Sequence, residues 1–309
     1  MADAHAHGGV GRLGEALDAR RADSRRRMLV ALAINVVLLG ATFVGALLTG
    51  SLALLADTGH MLSDVGAIGL GLAAGGLASL PGGPRRTFGY QRTEVIAALV
   101  NGIALAVIAV LVAIEAVDRL GEPPEIEGLG VLVLGIVGLG GNVAATGVLA
   151  RGEREDLNLE GVLRHSAADA LGSLGVIVSG GVILTTGWAP IDPLASLAIA
   201  ALILASSVRL IAGPVNVLME AAPEGMDGER IAREMTEVEH VRAVHDLHVW
   251  TVTAGFETLV AHVVVAGGAD RDLVRRRLEV MLRERYGIEH TTLQMEEEAP
   301  PELLDVKGS

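Results

Sequence analysis

His60 and Asp64 stand four residues apart in the run ALLADTGHMLSDVGAIGLGLAAGGL (53–77), and the same spacing returns in His165 and Asp169. On a helix, positions i and i+4 lie one above the other on one face. Each pair therefore offers one imidazole nitrogen and one carboxylate oxygen side by side. Four such ligands suit a divalent ion such as Zn²⁺ in a tetrahedron. Two ionised aspartates also cancel the charge of that ion. One helix face supplies only half the set, so the site needs both helices. Asp57 lies one turn before His60, near the same face. Its place at the outer end of the run reads as a wetted bystander rather than as a further ligand.

The surroundings make these residues costly. Both pairs fall in apolar stretches long enough to cross a bilayer, where an ionisable group costs about 3 kcal/mol by insertion scales. A single His–Asp pair is explained by a local hydrogen bond holding a helix interface. Two identical pairs on two different spans favour a shared metal site.

The rest of the chain must position those two spans. It has 309 residues, 51% hydrophobic, a mean hydropathy of +0.50, 40 glycines and no cysteine. Hydropathy this high, gathered in blocks, predicts a polytopic helical membrane protein. Abundant glycine and alanine suit close helix packing in lipid, and 2% aromatic content leaves little for an interfacial belt. Without cysteine, disulfides, thiolate metal sites and thiol catalysis are excluded. A formal charge of −13 argues against nucleic acid as a partner.

Six apolar spans are predicted, at about 28–49, 53–77, 95–117, 128–150, 160–185 and 193–213. The polar start, 1–27, shows no cleavable signal and reads as a disordered cytoplasmic N-terminus in which His5 and His7 hold metal loosely at most. Arg85, Arg86, Arg92, Arg151 and Arg154 fall in alternate loops, whereas the opposite loops hold only Arg119. That asymmetry places both termini inside. Asp192-Pro193 reads as an N-cap followed by proline at the first position of the sixth span. Asn35, Asn101 and Asn142 lie within spans and are read as interhelical hydrogen-bonding groups.

The transmembrane domain is expected over 28–213, a cytoplasmic domain over 214–297 and a flexible tail over 298–309. In the second domain, 228–241 and 270–285 have helical periodicity, while 243–253, 257–265 and 289–297 alternate like strands. The order αββαβ predicts a small open-faced α+β sandwich.

The stretches SLALLADTGHMLSD (51–64), FGYQRTEVIAALVNG (88–102), LNLEGVLRHSAADALGSLGVI (157–177), IDPLASL (191–197) and HDLHVWTVTAG (245–255) together resemble the cation diffusion facilitators, in particular their zinc-transporting bacterial members. The resemblance covers nearly all of 28–296. It implies a homodimer of six-helix subunits in the bacterial inner membrane, each with a ferredoxin-like cytoplasmic domain. It also implies a proton-coupled exporter of divalent metal, with His60, Asp64, His165 and Asp169 as transport ligands. Histidine at position 60 favours zinc, with cobalt and cadmium as secondary ions. The loops 78–94 and 151–164 lack histidine, so the accessory sites that some relatives carry there are not expected. His245 and His262 match positions that bind metal in some relatives' cytoplasmic domains. The last strand reads Gln294 and Glu296 where those relatives have histidine and aspartate. Glu296 still offers an oxygen, whereas Gln294 is a poor zinc ligand. His248 and His290 read as surface histidines, and Arg92 and Glu94 as an ion pair or a dimer contact.

The expected activity is Zn²⁺/H⁺ antiport with zinc as cargo, not as a cofactor. A membrane metal sensor is the alternative, weakened by the absence of an output domain. A membrane metalloenzyme is not expected, because four filled ligand positions leave no place for a reacting water.

Overall fold

The computed structural model describes residues 29–78, 80–150 and 159–297, with side chains described except at 148–150 and 159–168. The expected disordered start with His5 and His7, and the expected tail after 297, lie outside the described residues. Among the described residues, six helices are long and apolar enough to cross a membrane. They are α1 (Leu29–Thr49), α2 (Leu52–Ala78), α3 (Thr93–Gly121), α4 (Gly128–Ala150), α5 (Leu159–Thr186) and α6 (Ile191–Leu218). The chain divides into two compact units, 29–71 with 100–210 and 72–99 with 211–297.

The first unit is held by small residues and apolar side chains. Its core gathers Leu52, Leu54, Leu105, Val131, Val176 and Ile203 from α2 to α6. Outward faces remain apolar, with Leu48, Leu111, Val143 and Val208 all more than half exposed. Such faces match lipid rather than water. α4 and α5 approach closely through glycine: a Cβ on Gly180 would come within 2.5 Å of the Leu132 amide nitrogen. Only a residue without a side chain allows that approach.

The second unit contains α7 (Gly228–Thr236), β1 (Val241–Thr253), β2 (Phe256–Val265), α8 (Arg271–Tyr286) and β3 (His290–Glu297). This is the αββαβ order expected from periodicity. The helical reading to residue 241 runs too far, because Val241 pairs with Val265 and opens β1. β1 and β2 form an antiparallel hairpin, and β3 adds in parallel to β2, giving the order β1-β2-β3. Asp270 caps α8 by accepting from the Leu273 amide at 3.0 Å. Gly287 ends it in the left-handed region at φ 70°, with Ile288 N–H donating to the Leu282 carbonyl at 3.2 Å. Ile231, Met235, Leu259, Leu278, Leu282 and Ile288 fill the core between helices and sheet at 1% exposure or less. Each contributes roughly 1.5–3 kcal/mol by leaving water.

Candidate metal centre

α2 and α5 run antiparallel, and their polar residues form rungs between them. Nearest the N-terminus of α2, the Asp192 carboxylate of α6 accepts from Ser51 Oγ at 2.5 Å and from Ser179 Oγ of α5 at 3.2 Å. Six residues on, nearly two turns, Ser173 Oγ donates to Asp57 Oδ2 at 3.4 Å. Next, His60 Nε2 lies 2.9 Å from Asp169 Oδ1. Each turn forward on α2 is a turn back on α5.

His60, Asp64 and Asp169 each bring one ligand atom into a group whose members all lie within 4.8 Å of one another. A tetrahedral zinc site, with metal–ligand distances near 2.0–2.2 Å, needs about 3.4 Å between ligand atoms. Ångström-scale side-chain adjustments therefore suffice, the His60–Asp169 pair opening slightly from 2.9 Å. The three residues are largely shielded and line a cavity of about 610 Å³. Asn35, Asn101, Asn142 and Arg209 line it too. His165, the fourth expected ligand, lies on α5 one turn before Asp169, among residues whose side chains are outside the described set.

Two readings change. Asp57 is not wetted: it is 2% exposed, because the α5 segment carrying Ser173 packs over it. Asp192 does not cap its own helix, which already begins at Ile191. Its carboxylate instead accepts from the Leu52 amide at 2.7 Å and the Ala53 amide at 3.3 Å, so it caps α2. Asp192 and Ser51 are 0% and 2% exposed, so this is a buried cap. Arg209 is a further polar residue of the cavity, and a lone arginine inside an apolar run is its signal in the sequence. Among the asparagines, Asn101 donates to Ser63 Oγ at 3.0 Å, an interhelical bond between α3 and α2.

A second cluster lies on the small sheet. The β1–β2 register sets His245 opposite His262, and the β2–β3 register sets His262 opposite Gln294. Glu296 is two residues beyond Gln294, on the same face of β3. Its carboxylate bridges both rings, at 3.1 Å from His245 Nε2 and 2.7 Å from His262 Nδ1. Hydrogen bonds from His262 and then His245 hold the Glu296 carboxyl below the usual carboxylate range. All three ligand atoms lie within 4.8 Å of one another. Gln294 donates to Glu296 Oε1 at 2.9 Å, which orients the carboxylate. His248 pairs with Asp246 at 3.0 Å, at a bulge where Asp246 has φ 50°. His290 stacks edge-on with Phe88 and Phe256. Arg92 pairs with Glu220 at 3.0 Å, while Glu94 accepts from Thr253 Oγ1 at 3.1 Å, so the two do not form one pair.

Six apolar helices enclosing a cavity lined by histidine and carboxylate, joined to a small α+β domain, define an integral membrane protein that handles cations. Residues 28–219 match the cation efflux transmembrane domain, and residues 223–298 match the cation efflux protein cytoplasmic domain. The chain belongs to the cation efflux family, the cation diffusion facilitators. It is 39% identical over 274 residues to the zinc transporter ZitB of Yersinia pseudotuberculosis serotype I (strain IP32953), covering 88% of this chain and 87% of the relative. It is 38% identical over 261 residues to the cadmium, cobalt and zinc/H(+)-K(+) antiporter of Bacillus subtilis (strain 168), covering 83% and 84%. The metal-bound C-terminal domain of the CzcD transporter from Cupriavidus metallidurans aligns at 30% identity and a TM-score of 0.22, over 23% of this chain and 99% of that domain. Membership makes the protein a cation efflux transporter and disfavours the sensor reading.

Proposed function

We propose that the protein exports Zn²⁺ from the cytoplasm in exchange for protons, with His60, Asp64, His165 and Asp169 as the transport ligands. One observation carries the reading: His60 Nε2 and Asp169 Oδ1 lie 2.9 Å apart, with Asp64 in reach. A hydrogen bond of that length needs a proton between nitrogen and oxygen. An ion ligated by both atoms must take that proton's place. Where the imidazole is doubly protonated, metal entry releases that proton to solvent, and reprotonation of the ring expels the metal. The ladder between α2 and α5 supports His165 as the fourth ligand. A further turn from His60 reaches Asp64, and the matching turn back from Asp169 reaches position 165.

The relatives' names support zinc as principal cargo, with cadmium and cobalt as secondary ions. The site's two carboxylates offset the charge of a divalent ion. Both termini are cytoplasmic, and two copies assemble as a homodimer. His245, His262 and Glu296 form a second, regulatory metal site, for which Glu296 supplies the oxygen.

The test is zinc uptake into everted or reconstituted vesicles driven by a pH gradient, with and without Asp64→Ala and Asp169→Ala. Loss of gradient-driven uptake in both variants is expected. Retained uptake in both refutes the assignment.

A further inference from the structure

The connection between α2 and α3 is a built surface rather than a slack loop. Gly83 and Arg86 exchange two backbone hydrogen bonds, at 3.0 and 2.9 Å, and the Gly89 amide donates to the Arg86 carbonyl at 2.9 Å. The turn presents Arg85 and Arg86 to solvent. Arg86 lies 4.4 Å over the ring of Tyr90. Both arginines, Arg92, Phe88, Tyr90 and Trp250 line one cavity of about 560 Å³. Phe88, Tyr90 and Trp250 are three of only seven Phe, Tyr and Trp residues in the chain. A chain so poor in aromatics has concentrated them beside three guanidinium groups.

Helix lengths fix the level of this cavity. α2 has 27 residues and α3 has 29. At 1.5 Å per residue each runs about 40 Å, longer than a hydrocarbon core of roughly 30 Å. Their joined ends therefore emerge in the headgroup layer. That layer is where tyrosine and tryptophan settle and where anionic phosphodiesters are concentrated. Arg92 is already occupied by Glu220 at 3.0 Å. Among the described residues, Arg85 and Arg86 have no carboxylate partner. Two adjacent planar forks suit a phosphate oxygen pair better than a single point charge does.

We infer that this cavity is a binding site for the headgroup of an anionic phospholipid, with Arg85 and Arg86 gripping the phosphate and Tyr90 and Trp250 flanking it. The bland account of these arginines, that they only set membrane orientation, requires neither a hydrogen-bonded turn nor an aromatic-lined cavity. The site is independent of which metal is carried.

Full-length protein in detergent is titrated with phosphatidylglycerol, phosphatidylcholine or glycerol 1-phosphate, and bound lipids are counted by native mass spectrometry. In a Trp188→Phe background, Trp250 emission reports occupancy at the cavity. Phosphatidylglycerol is expected to bind about tenfold more tightly than phosphatidylcholine and to shift Trp250 emission. The double variant Arg85→Ala/Arg86→Ala loses both the preference and the shift, and Arg85→Lys/Arg86→Lys keeps part of each. Equal binding of the two lipids, or an unchanged preference in the alanine variant, overturns the proposal. Competition by glycerol 1-phosphate at concentrations matching the lipid also overturns it, in favour of a soluble phosphate ester.

Discussion

The Asp192 carboxylate accepts from the Leu52 amide at 2.7 Å across 140 residues of sequence, so the first turn of α2 is capped by the first turn of α6. Ser51 and Ser179 donate to the same carboxylate. One buried side chain thus ties α2, α5 and α6 near the end where the ladder toward the metal site begins. Asp192→Ala leaves the Leu52 and Ala53 amides without this acceptor. It is expected to lower stability by about 1–3 kcal/mol, read as a fall in the thermal midpoint in detergent. Asp192→Asn keeps one carbonyl acceptor and should lose less.

Close approach of α4 to α5 makes a separate prediction. Gly180→Ala puts a methyl group 2.5 Å from the Leu132 amide, a backbone atom that cannot rotate away. Overpacking of this kind costs typically 1–3 kcal/mol. Because α5 carries Asp169, zinc affinity should fall together with the thermal midpoint. Gly181→Ala, which meets nothing within 4 Å, serves as the control and should change neither.

At the transport site, His60→Ala removes a ligand and the partner of Asp169. Zinc affinity is expected to fall more than about 100-fold, because losing a ligand exceeds the 10–100-fold typical of outer-shell changes. Isothermal titration of purified protein at several pH values checks this. In the wild type, affinity should rise with pH, because binding releases protons. A pH-independent affinity contradicts the exchange.

The cluster on the sheet predicts stoichiometry. Wild-type chain should bind two zinc ions, and Glu296→Gln should bind one while still transporting. Chelation with EDTA should change amide exchange around His245 and His262 in the wild type only. Two ions retained in the variant would show that Glu296 is not a ligand.

Glu234 makes one contribution to acid stability, modest because its ion pairs are exposed. Arg230 and then Arg285 donate to its carboxylate, at 3.0 Å each, and hold it at about 2, down from 4.5. A carboxyl depressed in the folded state stabilises fully above the unfolded value near 4.5. That contribution is lost as pH falls through the folded value near 2. Between those values, Glu234→Gln should flatten the acid-unfolding limb of the full chain, followed by Trp250 emission in the Trp188→Phe background.

What was legible in the sequence followed from local rules. Apolar blocks of bilayer length appear as α1 to α6, and the αββαβ order follows from switching periodicity. His60 over Asp64 is a matter of helical spacing alone, visible before any packing is known. Tertiary structure decided which distant residue each polar group meets. Asp192 looked like the cap of its own helix, but packing turned its carboxylate onto α2. Asp57 looked wetted from its place in the run, but α5 covers it. The family resemblance points to Glu296, yet only the parallel addition of β3 to β2 puts it between His245 and His262. Spacing along one helix or strand is set by covalent geometry and backbone hydrogen bonds. Contact between elements depends on side-chain packing across the whole chain, which no local window contains.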